Sequence, residues 1–290
     1  MIKTALFYPL IWALYLISSE LYAQNTYTVI IDRDYQFQHD ADSLWIMSFL
    51  PKSITNRQRV INYRFSPVIP PIEDIENSRC FRLVLFDDEI KKSYRFHAEF
   101  DIEIFDYDLA EALYIKDGLD DTLNLSQYLE PESFINSDRK KFKKLVSTFD
   151  DSEIIAVRQI MEYVRKKINY KIQQYGDLGA NKSLALREGD CSEYSDLMVS
   201  ICRAKGIPSR TAIGKVAQTS INPNHAWVEA YLKGIGWVPF DPTAVESSGL
   251  ERIEELTAPY IYYSFDRIDK YLGSFTANSW YYTNGTTDAR

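Results

Sequence analysis

From residue 26 to residue 107 apolar and polar side chains alternate in short runs. The segments are TYTVIID (26–32), LWIMSFLP (44–51), QRVINYRFSP (58–67), CFRLVLF (80–86) and SYRFHAEFDIEIFDY (93–107). A period of two in Tyr-, Phe-, Val- and Ile-rich stretches predicts β-strands, and Pro51, Pro67 and Pro70-Pro71 mark their ends or edges. Short strands spaced by polar turns predict an antiparallel sheet or sandwich. Near residue 128 the period changes. Between 150 and 168, Ile154, Ile155, Val157, Ile160, Met161 and Val164 recur at helical spacing behind an acidic start. A second stripe, Tyr194, Leu197, Met198, Ile201 and Cys202, predicts a helix that stops at Gly206 and Pro208. From 211 the period returns to two, in TAIGKVA, HAWVEAYL and GWVPFD, and later in YIYYSFD and SWYYT. Helices followed by a group of strands describe an α+β domain.

The second helix begins where its sequence places chemistry. In GDCSEYSDLMVSICRAKGIPSR (189–210), Asp190 is an N-cap and Glu193 completes a capping-box pattern. Cys191 is then the first helical residue. The unpaired N–H groups and the helix dipole at that position stabilise a thiolate and can donate to an oxyanion. Cys202 falls on the apolar stripe and Cys80 in a strand, so both are expected in cores.

A thiolate nucleophile needs a base, and the chain has three histidines. His39 sits in an acidic loop and His97 in a strand of the β-region. His225 opens HAWVEAYL, where it shares a face with Trp227, Glu229 and Tyr231. The small apolar face, Ala226, Val228, Ala230 and Leu232, suits packing against a helix. If HAWVEAYL and GWVPFD form a hairpin through Lys233-Gly234-Ile235, paired numbers sum to an even value and residue 227 faces 241. His225 is then the diagonal neighbour of Asp241, roughly 7–8 Å away between backbones and within side-chain reach.

These three blocks, in the order Cys, His, Asp, resemble the signature blocks of the transglutaminase-like superfamily. The likeness covers about residues 128–245 and points to the bacterial cysteine peptidase or amidase type that carries an N-terminal β-domain. It implies a papain-like α+β fold with Cys191 as nucleophile, His225 as general acid and base, and Asp241 as its orienter. No cofactor is implied, and no metal, since His225 and Cys191 lack further ligands at zinc spacing. Cross-linking members usually carry a tryptophan upstream of the cysteine that helps hold the oxyanion. This chain has none between Trp45 and Trp227. Tyr170, Gln173, Gln174 and Tyr175 occupy the corresponding loop as candidate donors, and Trp227 is a candidate cleft residue. The resemblance therefore favours hydrolysis of peptide or protein amides through a thioester. Glutamine acyl transfer (cross-linking) and a non-catalytic secreted binding or assembly module are the alternatives.

Composition adds limits rather than chemistry. The 290 residues are 46% hydrophobic and 26% charged, an ordinary globular balance. A net charge of −8 with no basic block argues against nucleic acid as a partner. Met1-Ile2-Lys3, an apolar run from Ala5 to Ile17 and Leu21-Tyr22-Ala23 have the layout of a signal peptide cleaved after Ala23. Export without stable membrane insertion after cleavage is expected. The expected organisation is a signal segment 1–23, an all-β domain 24–112 and a catalytic domain 113–290, with its core at 128–245 and C-terminal strands at 246–290. Three cysteines cannot all pair internally, so at least one thiol stays free. Oligomeric state is left open.

Overall fold

The computed structural model describes residues 25–36, 42–75, 77–86, 93–105, 107, 109, 124–173, 176–216, 224–244, 260–267, 277–283 and 286–289. The expected signal segment, His39, Gln174 and Tyr175 lie outside them. Among the described residues no helix is long and apolar enough to cross a membrane.

The alternating N-terminal segments form strands where the period of two places them. β1 (Asn25–Gln36), β6 (Ser93–Ile104) and β3 (Gln58–Ser66) make an antiparallel sheet in the order β1-β6-β3. Every second residue of β6, from Tyr94 through Phe96, Ala98, Phe100 and Ile102 to Ile104, is buried. This face packs on Leu44, Ile46, Phe81 and Leu83 of β2 (Ser43–Leu50) and β5 (Ser78–Phe86), the two-layer sandwich that a half-buried alternation requires. The outer face of β6 carries charge. His97 belongs to this solvated ladder, with Nε2 3.2 Å from Glu99 Oε1.

The second region packs helices on a sheet. α1 (Lys140–Leu145), α2 (Glu153–Lys167), α3 (Gly179–Leu186) and α4 (Cys191–Lys205) are its α-helices among the described residues. β9 (Ser209–Val216), β10 (Asn224–Leu232) and β11 (Gly236–Phe240) form its antiparallel sheet. Val228, Ala230 and Leu232 of β10 join Val157, Ile160 and Met161 of α2 and Leu197, Met198 and Cys202 of α4 in one core. The apolar face of HAWVEAYL thus meets the helices. Ile155 departs from the expected stripe and is 42% exposed. α4 ends as the sequence dictates, with Gly206 at φ +88° and Ile207 N–H donating to the Cys202 carbonyl at 2.9 Å.

The C-terminal strands divide between the two regions. β12 (Tyr260–Ser264) pairs with β9 and touches β5 through Ser264 and Ser78. β13 (Ala277–Thr283) instead pairs with β2 from Ser43 to Ser48, with β14 (Thr286–Ala289) beyond it. Their placement with the catalytic strands is corrected: β2 offers an open edge beside β5, and β13 fills it. One sheet of nine strands therefore runs β11-β10-β9-β12-β5-β2-β13-β14, with β4 (Ile72–Ile75) on β5. Close approach of β9 and β12 requires Gly214, because a Cβ there would lie 1.8 Å from the Ile261 carbonyl oxygen.

The odd face of β10, polar by sequence, is buried at its centre, Trp227 and Glu229. It is covered by a turn of the N-terminal region at 54–58, with Asn56 in the left-handed conformation at φ +57°. From that turn Arg57 reaches Glu229 at 3.3 Å and the Trp237 carbonyl at 2.6 Å. Arg210 reaches the same carboxylate at 2.6 Å, its guanidinium 3.5 Å from the centre of the Phe265 ring. Glu229 is 1% exposed and serves the buried Arg57 and the partly buried Arg210, which together hold its carboxyl ionised against burial. Glu229→Ala is expected to cost about 3 kcal/mol, because Arg57 remains buried without its carboxylate. Urea unfolding checks this.

Candidate functional site

The site forms where the start of α4 meets the start of β10 and the end of β11. Asp190 caps α4: Oδ1 accepts from Ser192 N–H at 3.0 Å, and Glu193 Oε2 accepts from Asp190 N–H at 2.9 Å. This is the capping box that the sequence spells. Glu193 is fully buried and its other oxygen accepts from Leu178 N–H at 2.8 Å. Burial pushes its carboxyl up to about 7 against these two donors. Gly189 makes room for it, since a Cβ there would stand 2.3 Å from Glu193 Cβ. The short strand β7 (Asn169–Tyr170) pairs in parallel with β8 (Glu188–Gly189) directly before the cysteine. Backbone, cap and packing together fix Cys191 as the first residue of the helix.

The hairpin register supplies the histidine. Val228 pairs with Phe240, Tyr231 with Trp237 and Leu232 with Gly236, the register expected from the three-residue loop. His225 Nε2 lies 2.7 Å from Asp241 Oδ2. The other ring nitrogen is Nδ1, and the imidazole also hydrogen-bonds Cys191. Burial alone would discharge the ring. The hydrogen bonds and charges of Asp241 and Cys191 outweigh it and raise His225 to about 10. Asp241 is 5% exposed, yet its carboxyl is held below the usual range: burial is outweighed by His225, Tyr260 and the Thr243 backbone. Its Oδ1 accepts from Thr243 N–H and Oγ1, both at 2.8 Å, and from Ala244 N–H at 3.2 Å. Arg165 of α2 ties the turn down through the carbonyls of Asp241, Pro242 and Ala244.

The loop candidates separate. Tyr170 lies on the rim, 58% exposed, close enough to Cys191, Asp190 and Asp241 that burial and these charges keep its hydroxyl protonated. Gln173 donates its backbone N–H to Asp190 Oδ2 at 3.2 Å, while its side-chain amide turns to the Lys171 carbonyl at 2.9 Å. Trp227 is not a cleft residue. It is fully buried behind His225, stacked on the imidazole at 5.9 Å and edge-on to Tyr260 and Tyr262. The covered odd face of β10 is the reason. Cys80 and Cys202 are buried, and all three thiols are free.

Tyr260 was not singled out by the sequence, yet its hydroxyl donates to Asp241 Oδ2 at 2.7 Å. The run YIYYSFD carries a strand signal only, and nothing local marks which tyrosine faces the aspartate.

Comparison with known proteins shows what the fold and sequence resemble. Residues 140–242 match the sequence profile of the transglutaminase-like superfamily. YebA of Bacillus subtilis (strain 168) is 33% identical over 69 residues, covering 19% of this chain and 9% of that protein. The chain thus spans a small fraction of that relative's length. A crystal structure of a cysteine protease candidate from Cytophaga hutchinsonii superposes over 93% of this chain and 90% of its own, with TM-score 0.63 and 19% identity. The periplasmic domain of TgpA from Pseudomonas aeruginosa is a more distant neighbour: TM-score 0.39 and 15% identity over 73% of this chain and 94% of that domain. The architecture is accordingly an α+β, transglutaminase-like fold preceded by a β-rich region, and the segment 140–242 belongs to the transglutaminase-like superfamily.

Proposed function

We propose that the chain is an exported thiol hydrolase that cleaves amide bonds of peptides or proteins through a thioester on Cys191. The observation that carries this is the 2.7 Å bond from His225 Nε2 to Asp241 Oδ2, with the same imidazole bonded to the thiol at the start of α4. Asp241 fixes the tautomer and favours the imidazolium, so the ring can hold the proton that the Cys191 thiol gives up on attack.

In the reaction, Sγ attacks the carbonyl carbon and the C–O π electrons move to oxygen. The negative oxygen is met by backbone N–H groups of the first turn of α4, with the Tyr170 hydroxyl as a further donor. As the C–N bond breaks, the proton on His225 passes to the departing amine, leaving a thioester. Water then attacks the thioester, giving its proton to His225. The C–S bond breaks, a carboxylic acid leaves, and His225 returns its proton to Sγ.

An amine in place of water gives cross-linking by the same steps. Water is in excess for an exported enzyme, and no tryptophan stands between Trp45 and Trp227, so hydrolysis is the favoured branch. Export rests on the N-terminal pattern at 1–23. The test offers the chain from Gln24 onward a peptide panel with a labelled primary amine in excess. New amino termini or carboxylates support hydrolysis. Predominant amine incorporation overturns it in favour of transfer.

A further inference from the structure

We infer that Tyr260, held in register by Gln58 of the N-terminal region, shares the charge of Asp241 with His225 and so keeps the imidazolium acidic enough to protonate a leaving amine. The inference rests on the triad reading above. Two donors converge on one oxygen: His225 Nε2 and the Tyr260 hydroxyl each lie 2.7 Å from Asp241 Oδ2. A carboxylate oxygen that accepts a second strong hydrogen bond has less charge to offer the first, so the hydroxyl weakens the pull of Asp241 on the imidazolium. Its own proton stays put, because burial and the adjacent carboxylate hold Tyr260 far above the usual phenol range.

The placement of that hydroxyl is set from outside the catalytic region. Gln58 is 1% exposed and clamps the backbone of Tyr262, two residues along β12 on the same face as Tyr260. Its Oε1 accepts from Tyr262 N–H at 2.8 Å, and its Nε2 donates to the Tyr262 carbonyl at 2.8 Å. A third bond, from Nε2 to the Lys52 carbonyl at 2.7 Å, fixes the amide's orientation. The clamp reproduces a strand-pairing ladder with one side chain, and it spans 204 residues of sequence. Tyr260 and Tyr262 then pack edge-on against Trp227, which itself stacks on His225. The N-terminal β-region is on this account a working part of the proton relay.

The groups facing His225 are Cys191 from α4, Asp241 after β11 and Tyr260 from β12, with the apolar Trp227 behind it. Tyr170 on β7 faces Cys191 and Asp241, and Arg165 engages the carbonyls of the 241–244 turn. Of these, Tyr260 alone touches Oδ2 beside the imidazole.

The test follows the ring signals of the three histidines by NMR titration of the chain from Gln24 onward, assigned with single histidine variants. In Tyr260→Phe the ring and its packing stay, and Oδ2 is left to the imidazole. The His225 midpoint is expected to rise by about one pH unit, the scale of one hydrogen bond to a charged group. Gln58→Leu is expected to raise it in the same direction, and the double variant no further than Tyr260→Phe alone, since both act through one hydroxyl. A purely structural role loosens the site and lowers the midpoint toward 6.5 instead. An unchanged or lowered midpoint in Tyr260→Phe overturns the inference, whether or not Gln58→Leu folds. The titration needs no substrate, so a chain inert on every amide refutes the proposed activity while leaving this result readable.

Discussion

Cys191→Ala is expected to abolish amide cleavage, on the order of a 10⁶-fold loss, as for removal of a nucleophile that works as part of a unit. The fold should hardly notice. The side chain is partly exposed at the first turn of α4, whose cap is made by Asp190 and Glu193 rather than by the thiol. A change within about 0.5 kcal/mol in urea unfolding is expected for such a site. Cys202→Ala is the complementary variant. Cys202 has no exposed surface in the helix–sheet core, and burial pushes its thiol up to about 12, out of reach of chemistry. It should retain turnover and lose about 1 kcal/mol of stability, the cost of a small cavity. Turnover by Cys191→Ala protein at anything near the native rate would remove the thioester mechanism altogether.

Asp241→Asn is expected to lower turnover by about 10²–10⁴-fold through the wrong pattern of donors, not through lost shape. Oδ1 of Asp241 accepts from two backbone N–H groups, those of Thr243 and Ala244, whose direction cannot change. An asparagine must place its carbonyl oxygen there, which turns its NH₂ toward His225 and Tyr260. The imidazole then meets a donor where it had an acceptor, loses its proton and adopts the tautomer that faces its N–H toward the sulfur. The pH profile reads this directly. In the native chain the imidazolium persists to about 10, so the alkaline limb of activity should fall there. In Asp241→Asn that limb should move to 6.5 or below. Stability follows the same proton. A site that binds its proton more tightly when folded stabilises the native state fully below about 6.5, and this is lost as pH rises through about 10. An alkaline limb that stays near 10 in the asparagine variant would show that Asp241 does not control His225.

The parts of this site that depend on neighbours in sequence were legible before any fold was known. The N-cap at Asp190 and the stripe from Tyr194 to Cys202 are local, so they set α4 and put Cys191 at its start. The period of two and a three-residue loop fix the hairpin register, and register alone brings His225 to Asp241. Other features have no local signature, because they arise from packing between segments far apart in the chain. Gln58 clamps Tyr262 and Arg57 reaches Glu229 only because the turn at 54–58 lies on β10 and β12. That cover turns a face that reads as polar into a buried one, which places Trp227 behind His225 instead of in the cleft. Likewise β13 reads as a strand but not as the partner of β2, since strand propensity names no neighbour. Tyr260 is the sharpest case: one tyrosine among 21 by composition, it becomes a ligand of Asp241 only when β12 pairs with β9. Sequence placed Cys191, His225 and Asp241 through a helix cap and short-range periodicity; tertiary packing, which brings distant strands within hydrogen-bond distance, decided what surrounds them.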